Sequence, residues 1–437
     1  MNITVDADKV IGTIRKLHGT NGGAPMIYFP DNFTEELVKL DTPSIRLHDT
    51  NWDNGNLRLV DIHHIFPVFD ADPDDPANYF FAHTDDYIQL CLSTGKTILY
   101  RLGICIEQTK KKYFAHPPKD YVKWTRICAN IIRHYNHDWA NGFHHNIEMW
   151  EIWNEADLGE QMWSGTWEDY IRLYVTTSKL LKAEFAEIKV GGPGIVSVHR
   201  DDMIESFLSA CQNEQAPLDF FSWHSYGDDL PALIAEPFKA RQLLDKFGFC
   251  RTELNLNEWH YLPGGWDHFE DKHHRSKLYA EMNGPDGAAF NAAVLTGWQD
   301  TPLDLSNHFN GAVLPPWGIL DVFGIPMKNF YGFLSFSLLG KCDERLAADS
   351  YPEQGVWVLA GRLADGGVRV LISCFKAAAG KIDVKINGVN LAEYTVSVNA
   401  TDSAHDFSPY GGFAVGSDPI SITKGDGSTA FVVELSK

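Results

Sequence analysis

The stretch MWEIWNEADL at residues 149–158 decides the fold of this chain. Its apolar start is typical of a buried β-strand, and its end is polar. Side-chain alternation along such a strand predicts that Glu151, Trp153 and Glu155 share a face, with Asn154 beside the last of them. A carboxyl group among tryptophans is poorly solvated, which raises its pKa and suits it to proton donation near neutral pH. The alternative is a structural glutamate held in a salt bridge.

Residues 12–335 repeat this arrangement of a short apolar run followed by a helical pattern. After residues 117–120, apolar side chains recur at the spacing of an amphipathic helix. A second helix opens with Thr166 and Asp169, at the spacing of a capping box. Eight βα repeats predict an α/β fold, a (β/α)8 TIM barrel with its chemistry at the C-terminal ends of the strands. The eight strand candidates are Thr13–Leu17, Ser44–Leu47, Thr97–Leu102, Glu148–Trp153, Ile188–Val190, Phe220–Trp223, Leu254–Asn257 and Leu303–Ser306.

Residues 336–437 change to the period-2 pattern of β-strands separated by Gly-rich turns. We expect an antiparallel β-sandwich domain there. Alternating apolar residues within residues 1–11 predict a further strand that joins this sandwich. The strand candidates are Val356–Leu359, Val368–Cys374, Ile382–Ile386, Tyr394–Val398, Ile420–Thr423 and Ala430–Glu434.

The composition excludes several classes of protein. The chain has 437 residues, 44% of them hydrophobic, and a net charge of −21. So acidic a surface disfavours nucleic acid and anionic membranes as partners. No apolar run approaches the ~20 residues of a membrane-spanning helix, and no export signal is recognisable, so we expect a cytoplasmic protein. A signal peptide already removed would instead make it periplasmic or secreted, and homo-oligomerisation is left open.

Cysteines and histidines give no sign of a metal site. The seven cysteines are scattered without a C-x-x-C pair, as is typical of reduced core thiols. Adjacent histidines such as His63 and His64 point in opposite directions on a strand and do not readily share an ion. No metal or organic cofactor is therefore expected.

A second Asn-Glu pair, Asn257-Glu258, ends a later strand candidate in the run LNLNEWH at residues 254–260. Two carboxylates that project from different barrel strands can hydrolyse a glycoside, one as acid/base and the other as nucleophile. If the anomeric configuration is retained, such groups lie ~5–5.5 Å apart. The pair Glu155 and Glu258 is far more informative than either glutamate alone.

Three further side chains are candidates for the same mouth of the barrel. His224 and Tyr226, two residues apart at the end of a strand, could hydrogen-bond the nucleophile or a sugar hydroxyl. Arg46 ends the second strand candidate and could keep the nucleophile ionised through a charge-assisted hydrogen bond. A structural Arg–Asp bridge inside the barrel is a compatible alternative for Arg46.

In these motifs the chain resembles the clan-A glycoside hydrolases, and within them it is most similar to family 39, which contains β-xylosidases and α-L-iduronidases. The motifs fall in the family's order along nearly the whole barrel, whereas the C-terminal domain matches by architecture only. The segments that carry the resemblance are residues 18–19, 46–48, 79–85, 117–121, 151–158, 190–193, 224–226, 258, 318–321 and 324–328.

The resemblance implies a retaining double displacement without a cofactor. Glu155 would be the acid/base and Glu258 the nucleophile, with Asn154 bound to the sugar 2-hydroxyl. The remaining members of the implied sugar pocket are His224, Tyr226, Arg46 and His48.

The sequence departs from the family pattern in two places. Ala156 follows Glu155 where proline is usual, and residues 306–310 read SNHFN where an aromatic-rich stretch is common. The second change offers Asn307 and His308 as substrate-binding groups and puts xylose specificity in doubt. Trp163 and Trp317 are candidate surfaces for stacking against the aglycone, with core packing as an equal alternative.

The leading interpretation is an exo-acting, β-xylosidase-like glycosidase of oligosaccharides. Alternatives within the same chemistry are an α-L-arabinofuranosidase, a β-galactosidase or β-glucosidase, and an α-L-iduronidase-like enzyme, for which Lys110–Lys112 would supply positive charge. Such a lysine run is more often solvated surface. From another class, a catalytically silent carbohydrate-binding protein remains, although the presence of both glutamates argues against it.

Overall fold

A closed barrel of eight parallel strands forms the larger part of the molecule. The computed structural model describes residues 1–23, 34–50, 58–311, 316–321, 323–416 and 418–437. A long strand, β1 (Asn2–Gly12), precedes the barrel. The barrel strands are β2 (Gly19–Asn21), β3 (Ser44–Leu47), β4 (Thr97–Leu102), β5 (Met149–Ile152), β6 (Lys189–Ile195), β7 (Phe220–Gly227), β8 (Glu253–Tyr261) and β9 (Leu305–His308).

Helices follow most of these strands. The two predicted helices begin as their sequences indicate: Asp120 caps α4 by accepting from the backbone N–H of Lys123, and Thr166 and Asp169 form a capping box at α5. The helices are α1 (Thr34–Lys39), α2 (Ile62–Ile65), α3 (Ala82–Ser93), α4 (Tyr121–Asn136), α5 (Trp167–Glu184), α6 (Asp201–Glu214), α7 (Leu230–Lys246), α8 (Gly265–Glu270), α9 (Arg275–Asn283), α10 (Pro285–Gly297) and α11 (Lys328–Leu339).

The predicted first barrel strand, Thr13–Leu17, is wrong, because the strand lies at Gly19–Asn21. The apolar side chains of Ile14 and Leu17 are buried in the core without pairing to a neighbouring strand. Gly19 suits the true strand because a Cβ there would lie 2.4 Å from Ser44 Oγ. A packing constraint between neighbours thus decides the position of this strand.

The strands β7 and β8 run further than predicted, to Gly227 and Tyr261. Both extensions carry the polar candidates of the sequence, His224, Tyr226 and Glu258, into the barrel's hydrogen-bonded sheet. These side chains are therefore held by regular backbone and not by loops, which favours a fixed geometry.

A ten-stranded sheet forms the second unit, with the order β15-β14-β18-β12-β11-β10-β1-β13-β17-β16. The strand β1 lies between β10, to which it is antiparallel, and β13, to which it is parallel. The sheet is thus mixed and continuous, curled around its own apolar core. Its strands are β10 (Glu344–Ala348), β11 (Val356–Arg362), β12 (Val368–Cys374), β13 (Gly380–Asn387), β14 (Thr395–Thr401), β15 (Asp406–Pro409), β16 (Phe413–Val415), β17 (Ile420–Lys424) and β18 (Thr429–Ser436).

The outer face of this sheet packs on helices α10 and α11. Apolar side chains of that face therefore belong to the same hydrophobic core as the barrel. Ser373 Oγ on β12 donates to the carbonyl oxygen of Ala289 on α10 at 2.6 Å. Phe375 packs edge-on against Phe290 with the ring centroids 5.3 Å apart. Among the described residues, no helix combines the length and apolar character needed to cross a membrane.

Gly332 should be essential to the packing of α11 on α10. A Cβ at this position would lie 2.4 Å from the carbonyl oxygen of Ala288, a backbone atom that cannot rotate away. We expect Gly332→Ala to lower the free energy of unfolding by about 1–3 kcal/mol, measured by chemical denaturation. Gly411→Ala is the control, because a Cβ at Gly411 has no neighbour within 4 Å. Equal stability of the two variants would contradict this account of the helix contact.

Candidate active site

A buried glutamate, Glu151 on β5, occupies the centre of the barrel interior. Its side chain is fully buried and accepts hydrogen bonds at both oxygens. Oε2 accepts from Arg46 Nε at 2.8 Å and from Nη2 at 2.7 Å. Oε1 accepts from Ser222 Oγ at 2.6 Å and from Asn257 Nδ2 at 2.5 Å. The salt-bridged glutamate of this strand is thus Glu151, whereas the sequence raised that structural role as the alternative for Glu155.

Arg46 connects this interior carboxylate to the mouth of the barrel. Besides Glu151, its guanidinium donates from Nη1 to Glu258 Oε2 at 3.0 Å. It also donates to Asn21 Oδ1 at 3.1 Å and to Asn154 Oδ1 at 2.5 Å. The predicted contact with Glu258 is present, and the internal bridge is made to a glutamate where an aspartate was expected.

Glu258, at the end of β8, is held on both carboxylate oxygens. Tyr226 donates its hydroxyl to Oε1 at 2.5 Å, while Arg46 contacts Oε2. Burial raises the pKa of Glu258, and the nearby charge of Glu155 acts in the same direction, while His224 and Arg46 oppose the rise. The hydrogen bonds and the guanidinium thus favour an oriented, ionised carboxylate in an otherwise apolar place.

Glu155 has a different environment. Its side chain hydrogen-bonds to His224, whose Nδ1 lies 2.7 Å from Oε1. Burial raises the pKa of Glu155 to about 8, with Arg46 opposing the rise and Asp49 adding to it. The carboxyl is therefore protonated at neutral pH, as proton donation requires. Its side chain keeps 15% of its surface exposed, so the mouth of the barrel remains accessible to it.

The backbone around Glu155 departs from the strand that the sequence predicted. Strand β5 ends at Ile152, and both Trp153 and Glu155 have positive φ, at 71° and 45°. Trp153 therefore packs outward against Trp124 of α4 and does not share the face of Glu155. Non-glycine residues in this region cost about 1–3 kcal/mol each, and such strain is found mostly at functional sites.

The two carboxyl groups lie close together. An oxygen of Glu155, one of Glu258 and a ring nitrogen of His224 are all within 4.8 Å of one another. Two carboxylates at this range do not ionise independently, because each charge disfavours the other. The tighter charge pairing of Glu258 with Arg46 makes it the member that ionises first.

Two buried donors at the site have no hydrogen-bond acceptor among the described residues. Asn154 Nδ2 is one and His224 Nε2 is the other. Buried polar groups are nearly always paired, so an unpaired donor beside a cleft is a place for a ligand oxygen. The amide oxygen of Asn154 is fixed by Arg46, which leaves its NH₂ group directed elsewhere.

His48 belongs to a second buried network beside the first. Its Nδ1 accepts from Arg101 Nε at 3.1 Å, and its Nε2 lies 3.5 Å from Asp49 Oδ1. Arg101 also donates to Asp61 Oδ1 at 2.6 Å. Burial lowers the pKa of His48 well below its usual value, and the cations Arg101 and Arg46 add to the effect. His48 is therefore a neutral hydrogen-bonding group.

The aromatic candidates separate into one at the site and one in the core. Trp317 is partly exposed and lies 5.7 Å from the ring of Tyr226. Trp163 is 1% exposed and packs against Trp153 and Tyr170, so it presents no face to a sugar. Of the two alternatives that the sequence left for Trp163, core packing is the one observed, because its ring fills the space between the barrel and α5.

A further aromatic residue at the site, Trp266 of α8, belongs to no motif in the sequence; it is 48% exposed, and its ring lies 5.2 Å from that of Tyr226. The signal was the pair Gly264-Gly265 immediately before it, both with positive φ. Such a turn soon after Glu258 brings an indole back to the mouth of the barrel.

Asn307 and His308 lie fully buried on strand β9. Asn307 is fully buried and donates to Thr20 O at 3.2 Å and to Ser44 Oγ at 3.1 Å, inside the barrel wall. His308 is also fully buried, against Trp259. Asn307 thus joins β9 to its neighbours β2 and β3, a role that sequence pattern alone does not distinguish from sugar binding.

Two side-chain groups among the described residues have the spacing of a metal site. They are Glu155 with His224 and Glu258, and His48 with Asp49 and Cys105. Neither donor set fits a cation. In the first, the Arg46 guanidinium already neutralises Glu258 and would repel a metal ion. In the second, burial raises the pKa of the Cys105 thiol well above its usual value, and a protonated thiol is a poor ligand.

Comparison with known proteins gives a match to a family model. The model of glycosyl hydrolases family 39 matches residues 2–300, most of the chain. That range covers β1 and the barrel from β2 to the end of α10. It includes both carboxylates of the site.

Two curated relatives and one solved structure extend this result. The chain is 24% identical to a β-xylosidase of Caldicellulosiruptor saccharolyticus over 76% of this chain and 70% of that one. It is 24% identical to a β-xylosidase of Geobacillus stearothermophilus over 59% of this chain, but spans only 52% of that relative's length. The crystal structure of a glucosidase from Croceicoccus marinus superposes with a TM-score of 0.83 at 25% identity, over 100% of this chain and 98% of that one.

The buried Glu155 should reduce stability as the pH rises. Its folded-state pKa of about 8 lies above the ordinary 4.5, so between these values the unfolded chain ionises while the folded carboxyl stays protonated. We expect Glu155→Gln to become more stable than wild type as the pH increases from about 5 to about 8. The gain reaches at most ~5 kcal/mol, since one pKa unit corresponds to about 1.36 kcal/mol. Urea denaturation at several pH values measures it.

Glu107→Gln is the control for this experiment. Burial opposes the shift, but the backbone N–H groups of Phe114, Tyr113 and Ala115 lower the pKa of Glu107 below its ordinary value. It is therefore ionised in both states throughout this pH range, and its loss should cost the same stability at every pH. A difference between Glu155→Gln and wild type that stayed constant over the same range would refute the buried, protonated state of Glu155.

Proposed function

The chain belongs to glycosyl hydrolases family 39, and from that membership we propose a retaining, exo-acting glycosidase that releases xylose from β-xylosides. The observation that carries the proposal is the carboxyl pair, with an oxygen of Glu155 and one of Glu258 within 4.8 Å. Retaining enzymes hold their carboxyl groups ~5–5.5 Å apart, and inverting enzymes hold them ~6.5–9.5 Å apart to admit a water. The close pair favours two successive displacements.

In the first displacement Glu258 attacks the anomeric carbon. Its carboxylate oxygen forms a bond to C1 while the bond from C1 to the leaving oxygen breaks. Glu155 gives its proton to that oxygen, so the aglycone departs as a neutral alcohol. Arg46 and Tyr226 support this role because they fix both oxygens of Glu258 before the substrate arrives.

In the second displacement Glu155 acts as the base. Esterification of Glu258 removes its negative charge, and since the repulsion between the two carboxylates is mutual, the pKa of Glu155 falls. The resulting carboxylate takes a proton from water as that water attacks C1, and the bond from C1 to Glu258 breaks. The product retains its anomeric configuration, and both glutamates return to their starting states.

The unpaired donors supply contacts to the sugar. We assign Asn154 Nδ2 to the 2-hydroxyl of the sugar, because this buried NH₂ group has no acceptor among the described residues and lies next to Glu155 in sequence. A hydrogen bond that strengthens as charge develops at C1 lowers the barrier selectively. His48, neutral and buried beside Arg46, would line the floor of the same pocket.

β-Xylosides are the leading substrates because both curated relatives are β-xylosidases. β-Glucosides are the second candidate, supported by the glucosidase whose structure superposes along nearly the full length of both chains. The two sugars differ only in the hydroxymethyl group on C5, so the space around that carbon decides between them.

A uronic acid is disfavoured as substrate. The ammonium group of Lys112 donates to the carbonyl oxygens of Glu107 at 2.7 Å and Thr109 at 2.6 Å, within its own loop. Lys111 lies over the ring of Tyr113, 5.0 Å from its centroid. Asp49 adds negative charge near Glu155. Lys111 and Lys112 are therefore engaged within their own loop, and the negative charge of Asp49 disfavours a second carboxylate beside Glu155.

A panel of aryl glycosides tests the substrate. We expect kcat/KM for 4-nitrophenyl β-xyloside to exceed that for the β-glucoside by at least about 10-fold, the range that one added group in a fitted pocket produces. The α-L-arabinofuranoside, β-galactoside and α-L-iduronide should react more slowly still. Exo action predicts xylose as the first product from xylotriose, with no xylose released from a chain blocked at its non-reducing end. A preference for the glucoside would transfer the assignment to the second candidate.

Two variants test the roles of the glutamates. Glu258→Ala should lose at least about 10³-fold in kcat, since it removes the group that forms the covalent intermediate. Glu155→Ala should keep turnover of a 2,4-dinitrophenyl glycoside, whose leaving group needs no proton, and azide should accelerate it by forming a β-glycosyl azide. Proton NMR identifies the anomer. Formation of an α-glycosyl azide by Glu155→Ala would contradict its role as acid/base. Azide rescue of Glu258→Ala in place of Glu155→Ala would show that the roles of the two glutamates are reversed.

A further inference from the structure

Strand β7 carries partners for both carboxylates of the site. His224 contacts Glu155 at 2.7 Å, and Tyr226 donates to Glu258 at 2.5 Å. Alternation along the strand directs their neighbours Trp223 and Ser225 to the opposite side, toward α7. The position of this one strand therefore affects both steps of the proposed reaction.

On that opposite side both neighbours donate to a single carboxylate, Glu236 of α7. Trp223 Nε1 donates to Oε2 at 2.9 Å, and Ser225 Oγ donates to Oε1 at 2.8 Å. The side chain of Glu236 is 8% exposed, so these bonds form largely out of water. One buried carboxylate thus accepts hydrogen bonds from the residues immediately before and immediately after His224. These two bonds together form a grip on β7.

The grip coincides with an irregularity in the barrel. The pairing of β7 with β8 shifts register between Trp223 and His224: Trp223 is opposite Leu256, whereas His224 is opposite Glu258. At such a shift the regular ladder no longer fixes the strand on its own. The two bonds to Glu236 lie on either side of this point.

We propose that Glu236 is a positioning residue of the active site, which holds the end of β7 so that His224 and Tyr226 meet Glu155 and Glu258. The proposal rests on the proposed roles of those two glutamates. A neutral amide at this place could accept only one of the two bonds, because its NH₂ group cannot accept from Trp223 or Ser225. The carboxylate is thus the side chain that satisfies both donors.

The surroundings of Glu236 also make the grip sensitive to pH. Burial raises the pKa of Glu236 to about 7, with Trp223, Ser225 and Lys239 opposing the rise. The facing titratable groups are His199, 3.7 Å from Oε1, and Lys239, which lies one helical turn along α7. Ionisation above about pH 7 makes both oxygens acceptors, which strengthens the grip on β7.

Glu236→Gln tests the proposal with the aryl glycoside on which wild type is most active. We expect kcat to fall by about 10-fold to 100-fold with KM changed less than about threefold, because misplacement of reacting groups reduces rate more than binding. The alkaline limb of the pH profile, which reports on Glu155, should shift as its contact with His224 loosens. Thermal unfolding is measured in parallel.

Asp85→Asn is the matched control. Asp85 on α3 is a partly buried carboxylate that accepts from His134 Nε2 and from the Tyr135 hydroxyl, both at 3.0 Å, between α3 and α4. This variant should lose comparable stability with kcat and the alkaline limb unchanged. A fall in kcat no greater for Glu236→Gln than for Asp85→Asn would overturn the positioning role and leave Glu236 as a purely structural group.

Ser225→Ala keeps the proposal testable if Glu236→Gln does not fold. It removes one donor from the grip and leaves the carboxylate of Glu236 in place, and kcat should fall by about threefold to tenfold with KM nearly unchanged. A folded Ser225→Ala variant with the kcat of wild type would contradict the grip. Because these comparisons are made relative to wild-type turnover, they are separate from the proposed function, which fails only if wild type or Glu258→Ala behaves contrary to its own prediction.

Discussion

A single buried guanidinium organises the inside of the barrel. Arg46 contacts Glu151, Glu258, Asn21 and Asn154, and neither its own side chain nor that of Glu151 has exposed surface. One cation thus compensates two carboxylates that would otherwise be buried without a counter-charge. Removing one partner from such a pair is strongly destabilising, because an uncompensated charge remains in a medium of low dielectric constant. The geometry of the site is therefore a consequence of charge balance in the interior.

Arg46 also gives the two glutamates at the mouth of the barrel different tendencies to ionise. Glu258 touches Arg46 and Tyr226, whereas Glu155 touches His224 and retains a raised pKa of about 8. Two chemically identical groups thereby take different protonation states within one small cleft. The Asn154 amide, fixed by Arg46 on its oxygen, keeps its NH₂ group for another acceptor. A charge network and an unpaired donor together define a place for a polar, uncharged ring.

Sequence pattern predicted the features that depend on local periodicity. The strands at Ser44–Leu47 and Thr97–Leu102, the amphipathic helix α4 and the capping box of α5 follow directly from it. The pattern failed where contacts distant in sequence decide the outcome. Ile14 and Leu17 are buried in the core although residues 13–17 pair with no strand, and Trp163, for which the sequence left sugar stacking and core packing equally open, fills the core. The positive φ values at Trp153 and Glu155 also interrupt the side-chain alternation that the strand pattern predicted. No local sequence rule predicts a positive φ for tryptophan or glutamate. Glu236 lies on a helix with no recognisable motif around it, so only its hydrogen bonds to Trp223 and Ser225 in the folded protein indicate its role.

The strand β1 lies in the middle of the ten-stranded sheet, between β10 and β13, although it is formed from residues 2–12. During synthesis on the ribosome β1 emerges before the barrel, whereas its partners β10 and β13 emerge only after the barrel sequence is complete. Strand β1 is thus made before the barrel strands and pairs after them. The apolar side chains of Ile3 and Val5, buried in the folded protein, therefore lack their neighbouring strands until residues 344–387 have been made. The position of β1 between β10 and β13 thus determines the order in which the sheet assembles as well as its final contacts.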